Sequence, residues 1–129
     1  LSGLPIPLPP VLALKNTYTY SASGSNLESI QQDVATTPGG PLSPVASQAY
    51  TFDTKTNPLI IPGEAVVLIR TGLYHANNIS KTTVTNSISP ANDFIMDYTY
   101  MYNTSGKPDS SYGTRTPGGA STISKYFYQ

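Results

Sequence analysis

The chain has no cysteine and no tryptophan, a single histidine, and charged residues at only 11% of its 129 positions, against about 25% in an ordinary soluble protein. Each shortage excludes something. Without cysteine there are no disulfides, no thiolate metal sites and no thiol nucleophile. The seven basic and seven acidic residues cancel and nowhere cluster, which argues against a phosphate-backbone partner and so against nucleic acid. The longest purely aliphatic run, Ala65-Val66-Val67-Leu68-Ile69, is far short of the roughly 20 residues that span a bilayer, so no membrane span is expected. The absence of Trp lowers the expectation of a dedicated carbohydrate-binding module. The first residue is Leu1 rather than Met, as in a processed mature chain, and nothing at the start reads as a retained signal peptide.

What is present is β-forming. Ten Tyr, with many Val, Ile, Leu and Thr, supply side chains suited to a pleated, half-buried surface. Low charge therefore does not mean disorder. A surface of Ser, Thr, Asn, Gln and Tyr groups repels other copies only weakly, which suits molecules that pack against one another.

The opening run Leu4-Pro5-Ile6-Pro7-Leu8-Pro9 can use one edge only. In an extended strand the N–H and C=O groups of successive residues point to opposite edges. Pro5, Pro7 and Pro9 strip the donors from one edge, while Leu4, Ile6 and Leu8 keep theirs on the other and align their side chains on one face. Such a segment docks along a sheet, buries an apolar stripe and accepts no further neighbour. It reads as a polyproline II arm, as the protein's own first edge strand, or as an arm that adds a strand to a neighbouring subunit. Residues 1–14 are accordingly assigned to an extended arm or donor strand, with Leu4, Ile6, Leu8, Val11, Leu12 and Leu14 as assembly residues, and residues 15–129 to one domain.

Beyond the arm, period-two spacing from Leu12 to Ala22 predicts a strand. Ser25 and Glu28 have capping-box spacing, and Leu27, Ile30 and Val34 share a helical face, which predicts one short helix before Pro38. Turn chemistry follows at Thr37–Pro44. Strands are then predicted at Ser47–Asp53, at Leu59–Ile61, at Glu64–His75 (near-continuously apolar, hence buried on both faces), at Ile79–Ile88, at Phe94–Tyr102 and at Ser121–Tyr128. Turns are expected at Ala76–Asn78, Ser89–Asp93 and Thr116–Gly119, with a polar loop at Asn103–Gly113. Several short strands with turn signals between them imply an all-β fold: a single β-sandwich, Ig-like or jelly-roll, with an extended Pro-rich first strand and at most one short helix.

Chemistry is sparse. His75 has no Gly-x-Ser-x-Gly partner, so a triad from it, a serine and Asp93 or Asp97 has no support in the spacing. Asp93 and Asp97 suit turn capping and solvation better than cation binding or glycoside hydrolysis. No catalytic residue, metal ligand or cofactor site is assigned, and an enzyme is not expected. Tyr98, Tyr100 and Tyr102 invite sugar stacking, yet they share a strand face with Phe94 and Met96 and so read as core or interface. Asn78-Ile79-Ser80 and Asn103-Thr104-Ser105 are acceptor tripeptides, making Asn78 and Asn103 candidate glycosylation sites.

With its processed start, its apolar segment Leu4–Leu14 and its all-β body, the chain resembles extracellular filament subunits assembled by donor-strand complementation, of the archaeal thread and TasA-like bundling pilin type. Leu59-Ile60-Ile61-Pro62-Gly63-Glu64-Ala65-Val66-Val67 is similar to the Pro-Gly-acidic turn into a strand seen in Ig-like surface domains. The long apolar N-terminal helix of type IV pilins is absent, which argues against that class. The resemblance implies a sandwich or jelly-roll subunit without catalysis, at the cell surface, whose partners are copies of itself. The alternatives are a virion structural protein (a small capsid, spike or decoration subunit) and a secreted domain that binds surface glycans.

Overall fold

The computed structural model of the chain describes residues 13–58 and 75–128. The alternation of Tyr, Thr and aliphatic residues resolves there into seven strands: β1 Leu14–Tyr20, β2 Leu27–Ala35, β3 Leu42–Thr56, β4 Asn77–Asn86, β5 Phe94–Tyr102, β6 Pro108–Thr116 and β7 Ser121–Lys125. They form one antiparallel sheet in chain order, β1-β2-β3-β4-β5-β6-β7, an up-and-down meander. The all-β expectation holds. The strands expected at Leu59–Ile61 and Glu64–His75 lie outside the described residues, His75 excepted.

Several local readings are corrected. The helix expected from Ser25 to Val34 is strand β2, paired along its length with β1 and β3. Three apolar residues at helical spacing are a weak signal. The same segment also alternates Ile30, Gln32 and Val34 with Ser29, Gln31 and Asp33, and pairing on both edges satisfies its backbone. The loop expected over Asn103–Gly113 shrinks to a tight turn at Asn103–Lys107, because Pro108–Thr116 is β6. Ser and Thr serve well on a solvated sheet face, and Pro108 sits at the strand's first position, where the register shifts, as proline in a sheet requires. Pro44 lies beside another shift, opposite Asp33. The turn expected at Ala76–Asn78 instead starts β4, and Asn78 is buried.

Residues directly opposite across strands share a face, so the register defines two. One carries Tyr18, Ile30, Gln48, Val84 and Phe94 in a row, with Tyr50, Thr82, Met96 and Arg115 in the row that includes the centre. Tyr98 and Tyr100 follow on the same face, opposite Gly113 and Ser111. The other carries Thr17, Gln31, Ser47 and Thr85, then Thr19, Ser29, Ala49, Thr83, Ile95 and Thr116, then Thr51, Lys81, Asp97, Thr114 and Ser121. Burial concentrates on the first, aromatic face: Tyr50, Thr82 and Ser111 are buried. Gly113 is required there, since a Cβ would meet the Tyr98 ring at 3.1 Å and Thr122 Oγ1 at 2.8 Å. The Arg115 guanidinium lies 4.4 Å from the centre of the Phe94 ring, a cation–π contact at the border of that face.

Candidate functional site

The outer strands are the least covered part of the sheet. Every residue of β1 and of β7 is exposed, and among the described residues each pairs on one side only. The phase of pairing fixes which backbone groups remain open. Ala35 N–H donates to Ala13 O at 2.9 Å, so the odd-numbered residues of β1 bond inward to β2. The N–H and C=O of Leu14, Asn16 and Tyr18 consequently face outward, and their side chains lie on the aromatic face with Val34, Gln32 and Ile30. In β7 the phase is set by Arg115 N–H to Ala120 O at 2.8 Å and Tyr126 N–H to Asp109 O at 2.9 Å. Ser121, Ile123 and Lys125 therefore face outward there, with side chains on the hydroxyl-rich face beside Thr114, Tyr112 and Ser110. Among the described residues the sheet thus has two open edges, each tied to a different face.

Of the assembly residues expected from sequence, Leu4, Ile6, Leu8, Val11 and Leu12 lie outside the described residues. Leu14 is the first residue of β1, opposite Val34 and 59% exposed.

The titratable side chains on the aromatic side serve its packing. Tyr102 donates its hydroxyl to Asp53 Oδ2, and Asn78 Nδ2 donates to the same carboxylate oxygen at 3.3 Å and to Tyr102 OH at 3.1 Å. Burial and then the Asp53 carboxylate push the Tyr102 phenol up to about 12. Tyr100 donates to Ile79 O at 2.9 Å, and burial foremost raises its pKa too. These phenol oxygens are taken up by hydrogen bonds within the sheet. His75 is fully buried, its ring 5.1 Å from that of Tyr50 and 4.9 Å from that of Phe52, and neither ring nitrogen has a hydrogen-bond partner among the described residues. Desolvation lowers its pKa.

The two carboxylates considered from sequence have separate tasks. Asp93 Oδ1 accepts Asn86 N–H at 2.6 Å and closes the β4–β5 turn. Asp97 is exposed and pairs with Lys81 at 3.4 Å. Among the described residues no three His, Asp or Glu side chains gather where a metal ion would sit, and no helix is long and apolar enough to cross a membrane.

Sequence reasoning missed the Asp53–Asn78–Tyr102 cluster. Its members are 24 to 49 residues apart, and the only available signal was the alternation that put Tyr102 on the Tyr98 face. It also missed the phase of β1, since alternation marks faces but says nothing of which edge is open. No protein-family model, curated protein or solved structure matches this chain.

Proposed function

We propose that this chain is a self-assembling structural subunit of an extracellular filament, in which the N-terminal strand of one copy adds to the β1 edge of the next. The observation that carries this reading is the outward set of N–H and C=O groups at Leu14, Asn16 and Tyr18 on a fully exposed edge strand. An extended arm would present a matching set at Leu4, Ile6 and Leu8 and, because of Pro5, Pro7 and Pro9, no donors behind it.

Edge and face together select the pairing. In an antiparallel pair, residues that exchange hydrogen bonds place their side chains on the same face. Leu4, Ile6 and Leu8 opposite Tyr18, Asn16 and Leu14 extend the aromatic face with aliphatic side chains. The same arm set antiparallel on β7 would stand opposite Lys125, Ile123 and Ser121 on the hydroxyl-rich face, and set parallel on β1 it would turn its leucines to that face as well. Burying three aliphatic side chains contributes on the order of 5–9 kcal/mol. Each strand hydrogen bond adds about 1 kcal/mol. The opposing cost of ordering, roughly 1–2 kcal/mol per residue, is reduced by prolines that already restrict the free arm.

The same register within one chain would need a hairpin turn over Pro9-Pro10-Val11-Leu12-Ala13, which holds no Gly, Asn or Asp. Residues preceding proline are held extended. The β1–β2, β2–β3, β5–β6 and β6–β7 turns of the sheet all use glycine at positive φ, at Gly24, Gly39, Gly106, and Gly118 with Gly119. A partner copy meets the arm without any turn, and a head-to-tail contact of this kind repeats from copy to copy, giving an open filament unless the rotation between copies closes it into a ring or shell.

The cysteine-free chain allows a direct test with Ile6→Cys and Asn16→Cys combined. Opposed antiparallel residues at about 5.5 Å between Cα atoms fall within the range a disulfide bridges. Oxidation should give a ladder of covalent multimers on a non-reducing gel, with filaments by electron microscopy. A monomer closed by its own disulfide refutes the exchange between copies. Filaments without cross-links remove the β1 assignment but keep assembly. A dispersed, unlinked protein ends the reading, and closed shells favour the virion alternative.

A further inference from the structure

The two acceptor tripeptides occupy opposite kinds of site. Asn78 is 4% exposed, and its Nδ2, the atom a glycan would need, is committed to Asp53 Oδ2, Tyr102 OH and, at 3.5 Å, Lys55 O. A sugar on that nitrogen would have to displace the Asp53–Tyr102 contact and enter packed protein, so the folded chain has no room for one.

Asn103 is held the other way round. It opens the β5–β6 turn, where its backbone N–H donates to Lys107 O and its C=O accepts Gly106 N–H, both at 2.9 Å. Its Oδ1 accepts two backbone donors, Ser105 N–H and Lys107 N–H, each at 3.0 Å. Gly106, at φ 75°, makes this tight turn sterically free. With the carbonyl side of the amide anchored inward, Nδ2 is left without a hydrogen-bond partner among the described residues. The rest of the tripeptide, Thr104 and Ser105, is exposed. The turn also lies at the end of the sheet away from Leu14, since Leu14 pairs with Val34 beside the β2–β3 turn, whereas β5 and β6 turn at the other end.

We propose that Asn103 is an N-glycan attachment site of this protein and that Asn78 is not. The donor would be an oligosaccharide activated as a diphosphate-linked carrier. In the transfer, Nδ2 bonds to the anomeric carbon, the C1–O bond to the diphosphate breaks, and the diphosphate leaves with that electron pair. The Nδ2 proton passes to a base of the transferring enzyme. Two N–H donors on Oδ1 favour the charge-separated form of the amide, which makes that proton easier to lose.

The test is secretion of the intact chain from a host with N-glycosylation, followed by enzymatic deglycosylation in heavy-oxygen water, which marks each formerly occupied asparagine in the peptide map. Asn103 should carry the mark in most molecules and Asn78 in none. Asn103→Gln should reduce the intact mass to that of the bare polypeptide. Ser80→Ala, which removes the first tripeptide while leaving the Asn78 side chain in its cluster, should leave the glycan mass unchanged. An unmarked Asn103, or a marked Asn78 in folded, secreted protein, overturns the assignment.

Discussion

The two faces of this one sheet are built on opposite terms. On the aromatic face, Tyr50, Thr82, Ser111 and His75 are buried, and the Tyr98 ring is seated over Gly113. On the hydroxyl-rich face, Thr17, Thr51, Lys81, Thr85, Asp97 and Thr116 are all exposed, and the cross-strand bond between Ser47 and Thr85 (2.6 Å) and the Lys81–Asp97 pair stand in water. The lesson is that pairing and packing are separate here. Backbone ladders hold all seven strands together, but side-chain stabilisation comes from one side and from the middle strands. The outer strands are held by hydrogen bonds with little burial, which is the condition in which an edge can receive another strand.

Three experiments would break or sharpen that contrast. Tyr50→Ala should have the largest effect, about 3–5 kcal/mol of destabilisation in urea unfolding, because it empties a buried aromatic position against His75. A loss no larger than that of a surface substitution would show that the aromatic face is not the core. Acid should act next, through His75. Its folded pKa lies below the unfolded value of 6.5, so the unfolded chain binds the extra proton, and stability declines as pH falls below about 6.5 until the folded pKa is reached. Thermal midpoints of the native chain should drop over that window, and His75→Leu should flatten the profile. An unchanged slope would place the acid response elsewhere. Lys81→Ala, on the hydroxyl-rich face, should cost no more than about 0.5 kcal/mol, since its partner is exposed and screened. A larger loss would mean that this face carries more of the stability than its solvent exposure implies.

Legibility followed the strength of the local pattern. Phe94–Tyr102 alternates without interruption, and the strand has the bounds its sequence implies. Leu27–Ala35 carries two periods at once, and only pairing with neighbours on both edges decides for the strand. Pro108–Thr116 is too polar to announce itself, because one of its faces meets water and the other presents Gly113 and Ser111 to tyrosine rings. The candidate site was half legible. The prolines at positions 5, 7 and 9 predict a one-sided ribbon, but the open edge proposed to receive it depends on hydrogen-bond phase, which three-dimensional pairing alone fixes. Likewise both acceptor tripeptides look alike as text, and only burial separates Asn78 from Asn103.

The chain-order meander also governs how the molecule is made. Among the described residues each strand's partners are the strands just before and just after it, so contacts close over short stretches of chain, and only the step from β3 to β4 spans a long interval. Low sequence separation of this kind favours rapid folding. β1, β2 and β3 can zip together before the later strands have formed, and the last strands then join a template already in place.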